Sequence, residues 1–305
     1  MKQEAEMKLE ELIHQWFTGY ENLAGRLAVF SGRPAIFYQT APADNQGGWK
    51  GRGQYPRIVY TADMQTDQER KSAGSMAVAL LCDEAGTLPE ELEPEVKECL
   101  KDLIITPENG SPYCFAWSRT DSFELASRES GADTRVAGME IRFDILEYPR
   151  QESTDPDPVM ALNRYIRHRI PGAFVLGLDK QEPFMVAGAS APVFYCRMMV
   201  VEKYSETNMV TWMNGRIAVH VLCRSAEERL KWVMALADRL AFDCKVTMLD
   251  GSPMHVNNLA VNNRADYLKE GQITVTGRYG IPRYRAKKPR IEGIKMTGGF
   301  YGRKK

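Results

Sequence analysis

Residues 55–112 of this 305-residue chain recur, at constant spacing, as residues 196–253. Gly74-Ser75-Met76-Ala77-Val78-Ala79-Leu80-Leu81-Cys82 is answered by Gly215-Arg216-Ile217-Ala218-Val219-His220-Val221-Leu222-Cys223, 141 positions later, and Gly110-Ser111-Pro112 by Gly251-Ser252-Pro253 at the same offset. At that offset Arg57-Ile58-Val59-Tyr60 falls on Met198-Met199-Val200-Val201, apolar on largely apolar, and both read as strands. A shared order at one offset points to duplication. Two copies of this length make two domains rather than a solenoid, whose units run to roughly 20–50 residues and need at least about three to bury a core.

Each copy carries the same local signals. Thr87-Leu88-Pro89-Glu90 and Ser225-Ala226-Glu227-Glu228 have the spacing of a capping box, which predicts a helix after the same strand in both. Leu92, Val96, Leu100 and Leu103, and Leu230, Val233, Leu236 and Leu240, are the faces expected to lie on each sheet. The run Glu90, Glu91, Glu93, Glu95 and Glu98 reads as a solvated side. Asn109-Gly110 and Asp250-Gly251 then predict tight hairpins. Ahead of the first copy, Leu9, Leu12, Ile13, Trp16, Phe17, Tyr20 and Leu23 recur at helical spacing over about 5–28, a face for its own sheet or for a neighbouring subunit. Residues 34–38 are a short strand candidate. Residues 151–158, with two prolines and three acidic residues, predict a linker and a cap for a helix over about 159–169. The segment 173–186 has no counterpart in the first half. The expectation is therefore an α+β protein of two similar domains, 1–152 and 153–305, each a mostly antiparallel sheet packed against one or two helices, the second with a basic tail.

Composition narrows the function. Lysine plus arginine and aspartate plus glutamate both number 40, so overall charge argues for neither nucleic acid nor a membrane surface and permits self-association. There is no long apolar run, and the polar start Met1-Lys2-Gln3-Glu4-Ala5-Glu6 does not read as a signal peptide, so a soluble protein made in a cytoplasm is expected. Six unevenly spaced cysteines read as reduced and mostly buried. His14, His168, His220 and His255 share no ligand spacing, Glu95-Val96-Lys97 lies in a predicted helix where the charges diverge, and Ser190 lacks a nucleophile elbow. The expectation is no enzyme, no cofactor and no metal.

Two stretches invite partners. The loop 41–54 holds Gly47-Gly48-Trp49-Lys50-Gly51-Arg52-Gly53, which lacks the Ser or Thr and helix of a phosphate loop and reads as a surface arm. Residues 278–305 carry ten basic side chains against Glu292, with Tyr279, Tyr284, Phe300 and Tyr301 between them, a composition suited to an acidic partner subunit, to solvent or to DNA.

A leading helix, strands around Tyr55-Pro56-Arg57-Ile58-Val59-Tyr60, a strand of the 74–82 type, a capped helix and a closing hairpin are similar to the tail terminator or tail completion family of tailed bacteriophages. The resemblance covers roughly 35–149 and 190–283 and rests on order and pattern. It implies a structural virion protein, made in the host cytoplasm, that forms a ring on the end of the tail tube, stops its growth and joins it to the neck. Its implied partners are itself, the tube protein, a neck or connector protein and, without sequence specificity, the DNA passing through; a membrane is not among them. Family members usually carry one such domain, so two imply a trimer with pseudo-sixfold symmetry or a hexamer with twelve domains. Trp49, Lys50, Arg52, Lys287, Lys288 and Arg290 are the expected interface or channel contacts. Two other readings stay open, another ring component of the neck or tail tube and an enzyme or small-ligand protein with an interdomain site.

Overall fold

The computed structural model describes residues 8–49, 53–65, 72–83, 86–126, 135–151, 155–188 and 191–283. The first half runs α1 (Leu9–Gly19), α2 (Glu21–Ala24), β1 (Val29–Phe30), β2 (Arg33–Pro34), β3 (Ile36–Tyr38), β4 (Arg57–Met64), β5 (Gly74–Asp83), α3 (Pro89–Leu100), β6 (Leu103–Ile105), β7 (Tyr113–Ala126) and β8 (Arg135–Glu147). The second runs α4 (Pro158–Arg169), β9 (Phe174–Val175), β10 (Phe184–Val186), β11 (Val193–Glu206), β12 (Val210–Leu222), α5 (Ala226–Asp243), β13 (Lys245–Thr247), β14 (Pro253–Val261) and β15 (Ile273–Pro282). The fold is α+β, with two curled, mostly antiparallel sheets. Their orders are β10-β6-β7-β8-β5-β4-β3 and β13-β14-β15-β12-β11-β9.

Alternation builds each core. Along β5 the side chains of Met76, Val78, Leu80 and Cys82 point to one face, where Leu12, Ile13 and Phe17 of α1 and Leu92 and Val96 of α3 cover them. In the second half Val219 and Val221 of β12 take the same places under Ile166 of α4 and Leu236 and Leu240 of α5. The repeated glycine has a steric reason: a Cβ on Gly74 would come within 2.4 Å of the Asp63 carbonyl oxygen, and one on Gly215 within 3.3 Å of Met198 and Tyr279. The two turn signals also hold. Asn109 (φ 60°) and Gly251 (φ 82°) are left-handed where β6 turns into β7 and β13 into β14.

The strand pairing corrects the alignment of the copies. Arg57 faces Leu81 across β4 and β5, whereas Leu222, the counterpart of Leu81, faces Val193. Arg57-Ile58-Val59-Tyr60 therefore corresponds to Val193-Phe194-Tyr195-Cys196, five residues before Met198-Met199-Val200-Val201. Moreover, the segment 173–186 does have a counterpart: β9 lies parallel to β11, with Val175 against Phe194, as β3 lies parallel to β4, with Ile36 against Ile58. Helix starts divide. Ser225 caps α5 by accepting from the Glu228 amide, and Asp157 caps α4 by accepting from Met160, but α3 begins at Pro89 with Leu88 as its cap, so Thr87 is not the capping residue. The leading helix ends at Gly19 and the chain re-enters a single turn at Glu21.

One strand crosses position 152. β10 pairs antiparallel with β6, setting Phe184, Met185 and Val186 against Ile105, Ile104 and Leu103. The first sheet thus gains its seventh strand from the second half.

Candidate interaction surfaces

The two halves meet through a third core. Ile104, Cys114, Leu146 and Tyr148 on the outer face of the first sheet pack on Val193, Tyr195 and Leu222 on the outer face of the second, with Leu268 closing over them. Tyr148 stands edge-on to Tyr195 and His220, at 4.9 and 5.8 Å between ring centroids, and donates to the Leu268 carbonyl at 2.8 Å. Around this centre Tyr267 donates to buried Asp102 at 2.6 Å, Lys269 pairs with Asp144 at 2.6 Å, and Arg224 pairs with Glu98. An apolar centre with a polar rim is the anatomy of a lasting interface.

Its chemistry is that of packing. His220 is 2 % exposed, and burial pushes its pKa down to about 4, with Nδ1 2.9 Å from the Tyr267 carbonyl. Cys114 and Cys196 are held as neutral thiols by burial. All six cysteines are free, and all but Cys244 are buried. Two open grooves flank the contact. One of about 1140 Å³ lies between Leu12, the 106–113 turn and 177–183, and the other of about 630 Å³ lies between Lys97, Asp102, Trp117 and Tyr267. Neither is lined by a histidine among the described residues. No group of three or more His, Cys, Asp or Glu among the described residues is spaced to hold a metal. Lys97 and Glu95 point apart on α3, the former paired with Glu93 at 2.5 Å and lying 3.9 Å over the Trp117 ring. A further cavity of about 990 Å³ sits at the β3 edge beside Glu10, Glu11, His14 and Tyr60, where burial and Arg33 lower the pKa of His14.

Of the six predicted contact residues, Trp49 alone is described; Lys50, Arg52, Lys287, Lys288 and Arg290 lie outside the described residues. Trp49 serves its own domain. It packs edge-on against Phe30 and Phe37 at 4.9 and 5.9 Å and donates to the Ala43 carbonyl, while Asp44 accepts from Tyr55 at 2.9 Å and from Arg57 at 2.6 Å. These anchors hold the base of the arm and leave Ala43 and 45–48 exposed.

Other surfaces were not legible beforehand. The β11–β12 hairpin runs past its core, exposing Met199, Val200, Val201, Tyr204 and Met209, with Arg278 stacked 3.6 Å over Tyr204. On α5, Met234 and Phe242 face outward, Phe242 at 88 % exposure, and so does Leu230, which corrects the expected sheet-facing set to Val233, Leu236 and Leu240. Among the described residues no helix is long and apolar enough to cross a membrane. No family model, curated protein or solved structure matches this chain.

Proposed function

We propose that the protein is a structural virion component that forms a ring on the end of the tail tube of a phage or phage-like particle and joins it to the neck. The observation that carries this reading is that two similar units touch through unlike faces. The first half uses the face of Ile104, Cys114 and Tyr148, and the second uses that of Val193, Tyr195 and Leu222. Head-to-tail contact between like units leaves one face of each kind open on every chain, and such contacts close into a ring wherever the rotation per unit permits. Three chains would then give six units, and six chains twelve. The exposed apolar side chains of the β11–β12 hairpin and of α5 are surface for the tube and neck proteins. DNA would pass through without base-specific contacts.

Native mass spectrometry with negative-stain imaging tests this on the full chain at micromolar concentration, with and without tube extract. Rings of three or six chains, or rings found at tube ends, are the expected result. A monomer that ignores tubes would overturn the reading. A ring that binds neck protein but leaves tubes bare would move it to another neck component. Deleting 286–305, which removes seven of the ten basic residues of 278–305, is expected to abolish docking to the partner. Unchanged assembly of the shortened chain would exclude a docking role for the tail.

A further inference from the structure

We infer that the β13 edge of the second sheet receives a strand from the first half of another copy of this chain, supplied by the arm between β3 and β4. This deepens the ring reading and rests on it for its biological setting, but the pairing itself is argued from the two sheets.

Among the described residues the sheets differ by one strand. β6 carries β10 on its outer side, and β13, its counterpart at the offset of 141, is an edge. The Cys244 carbonyl accepts from Val256 and the Met248 amide donates to Ser252, so those residues face β14, and the alternate residues Lys245 and Thr247 turn their backbone groups to the open side. On β6 the matching residues are paired: Ile104 lies against Met185 of β10, the Thr106 amide donates to Pro183, and the Thr106 hydroxyl donates to Gln181. Thr247 stands at the offset of Thr106. The place that β10 fills in the first half is, in the second, a cavity of about 310 Å³ lined by Arg164, Tyr165, Arg169, Asp243, Lys245 and Thr247.

The repeat also names the occupant. β10 belongs to the connection between the parallel strands β9 and β11, residues 176–192, and its equivalent in the first half is the connection between β3 and β4, residues 39–56, one residue longer. Counted from the matched residues Val175 and Ile36, Phe184-Met185-Val186 corresponds to Asn45-Gln46-Gly47, exposed residues of a turn whose Gln46 amide donates to Ala43, so pairing with β13 exchanges that local bond for an intermolecular one. Within one chain this connection already crosses to the other half. The first half's own arm is anchored through Trp49 to Phe30 and Phe37 at the β3 edge of its sheet, the edge opposite β10, so the strand for β13 comes from the arm of another molecule.

The face beside β13 suits a separable contact. Ile104, Cys114 and Leu146 of the permanent interface are replaced by Lys245, His255 and Arg278, and the apolar β10 by the polar Asn45-Gln46-Gly47. At the same offset the Glu98–Arg224 pair becomes Arg239 and Asp83, with the signs exchanged. Backbone pairing with one complementary charge couple at the rim, in place of an apolar centre, gives a weaker association than the permanent interface. Lys245 at an edge also discourages indiscriminate strand pairing.

The test uses the full chain. Lys245→Pro removes an outward amide without touching the β14 ladder, and it is expected to weaken self-association at least about tenfold in sedimentation velocity. Because a proline there also strains left-handed Cys244 before it, the disulfide pair that follows decides the matter if the thermal midpoint falls. In a Cys244→Ser background, mixing Gln46→Cys chains with Lys245→Cys chains is expected to yield an interchain disulfide that neither chain forms alone. Rings that persist in Lys245→Pro, or cross-links formed equally by either chain alone, would overturn the inference and leave the ring reading standing. Self-association lost in Lys245→Pro by a chain that never binds tubes would support the inference and remove the tail assignment. A wild type that is monomeric at every concentration would overturn both.

Discussion

Replacing Tyr148 by Ala is expected to destabilise the protein by about 3–5 kcal/mol, the range for deleting a large buried aromatic from a packed core. The ring is 2 % exposed, stands edge-on to Tyr195 and His220, and carries a hydroxyl that donates to Leu268 in the other half. Neither half has a spare side chain to fill that space, because the residues around it, Ile104, Cys114 and Leu146 on one side and Val193 and Leu222 on the other, are fixed on strands. The loss falls on the contact between the halves rather than on either inner core. Urea unfolding is therefore expected to separate into two steps where the wild type shows one. Tyr148→Phe keeps the ring and loses the hydrogen bond alone, so it is expected to cost about 1–2 kcal/mol and to leave a single step. A Tyr148→Ala protein within about 1 kcal/mol of wild type would mean that the third core does not couple the halves.

How much of this was legible depended on whether a residue's partner lay nearby in sequence. Gly74 and Gly215, the turns at Gly110 and Gly251, and the Ser225 cap are local signals, and they placed β5, β12, both hairpins and α5 correctly. The register of β11 was not local. The residues from Val193 to Val201 are apolar almost throughout, so composition alone does not say which four match Arg57-Ile58-Val59-Tyr60; the parallel partner β9 and the pairing of Val193 with Leu222 do. β9 and β10 have two and three residues and no period to read. The partner of β10 lies in the other half, some 80 residues earlier, so no window of sequence contains the reason for it. The packing of Trp49 on Phe30 and Phe37 was not legible either, since neither phenylalanine carries a mark of holding it. The unlike faces used by the two halves were invisible for the same reason: they appear only when Cys114 is compared with His255 and Leu146 with Arg278 in paired strands.

Acid should loosen the contact between the halves, and His220 gives the sign. In the folded chain its pKa is pushed down to about 4 by burial, with Arg197 adding to the effect and the Tyr267 carbonyl and Asp266 opposing it, while in the unfolded chain it returns to the ordinary value near 6.5. Between those values the unfolded state binds the extra proton, so stability rises with pH across the window. The contribution is fully present above about pH 6.5 and is lost as pH falls toward 4. At roughly 1.4 kcal/mol per unit this amounts to about 3 kcal/mol. His14, also lowered, adds a slope of the same sign at a site far from the contact, so the pH profile of the wild type alone does not isolate His220. His220→Gln does: its amide can donate to the Tyr267 carbonyl but takes up no proton. Urea midpoints measured from pH 7.5 to 4 should therefore fall less steeply for His220→Gln than for wild type, the two curves converging as the acid end is approached. Parallel curves would show that His220 keeps its ordinary titration in the fold, which would require water in a contact that the packing of Tyr148 and Tyr195 excludes.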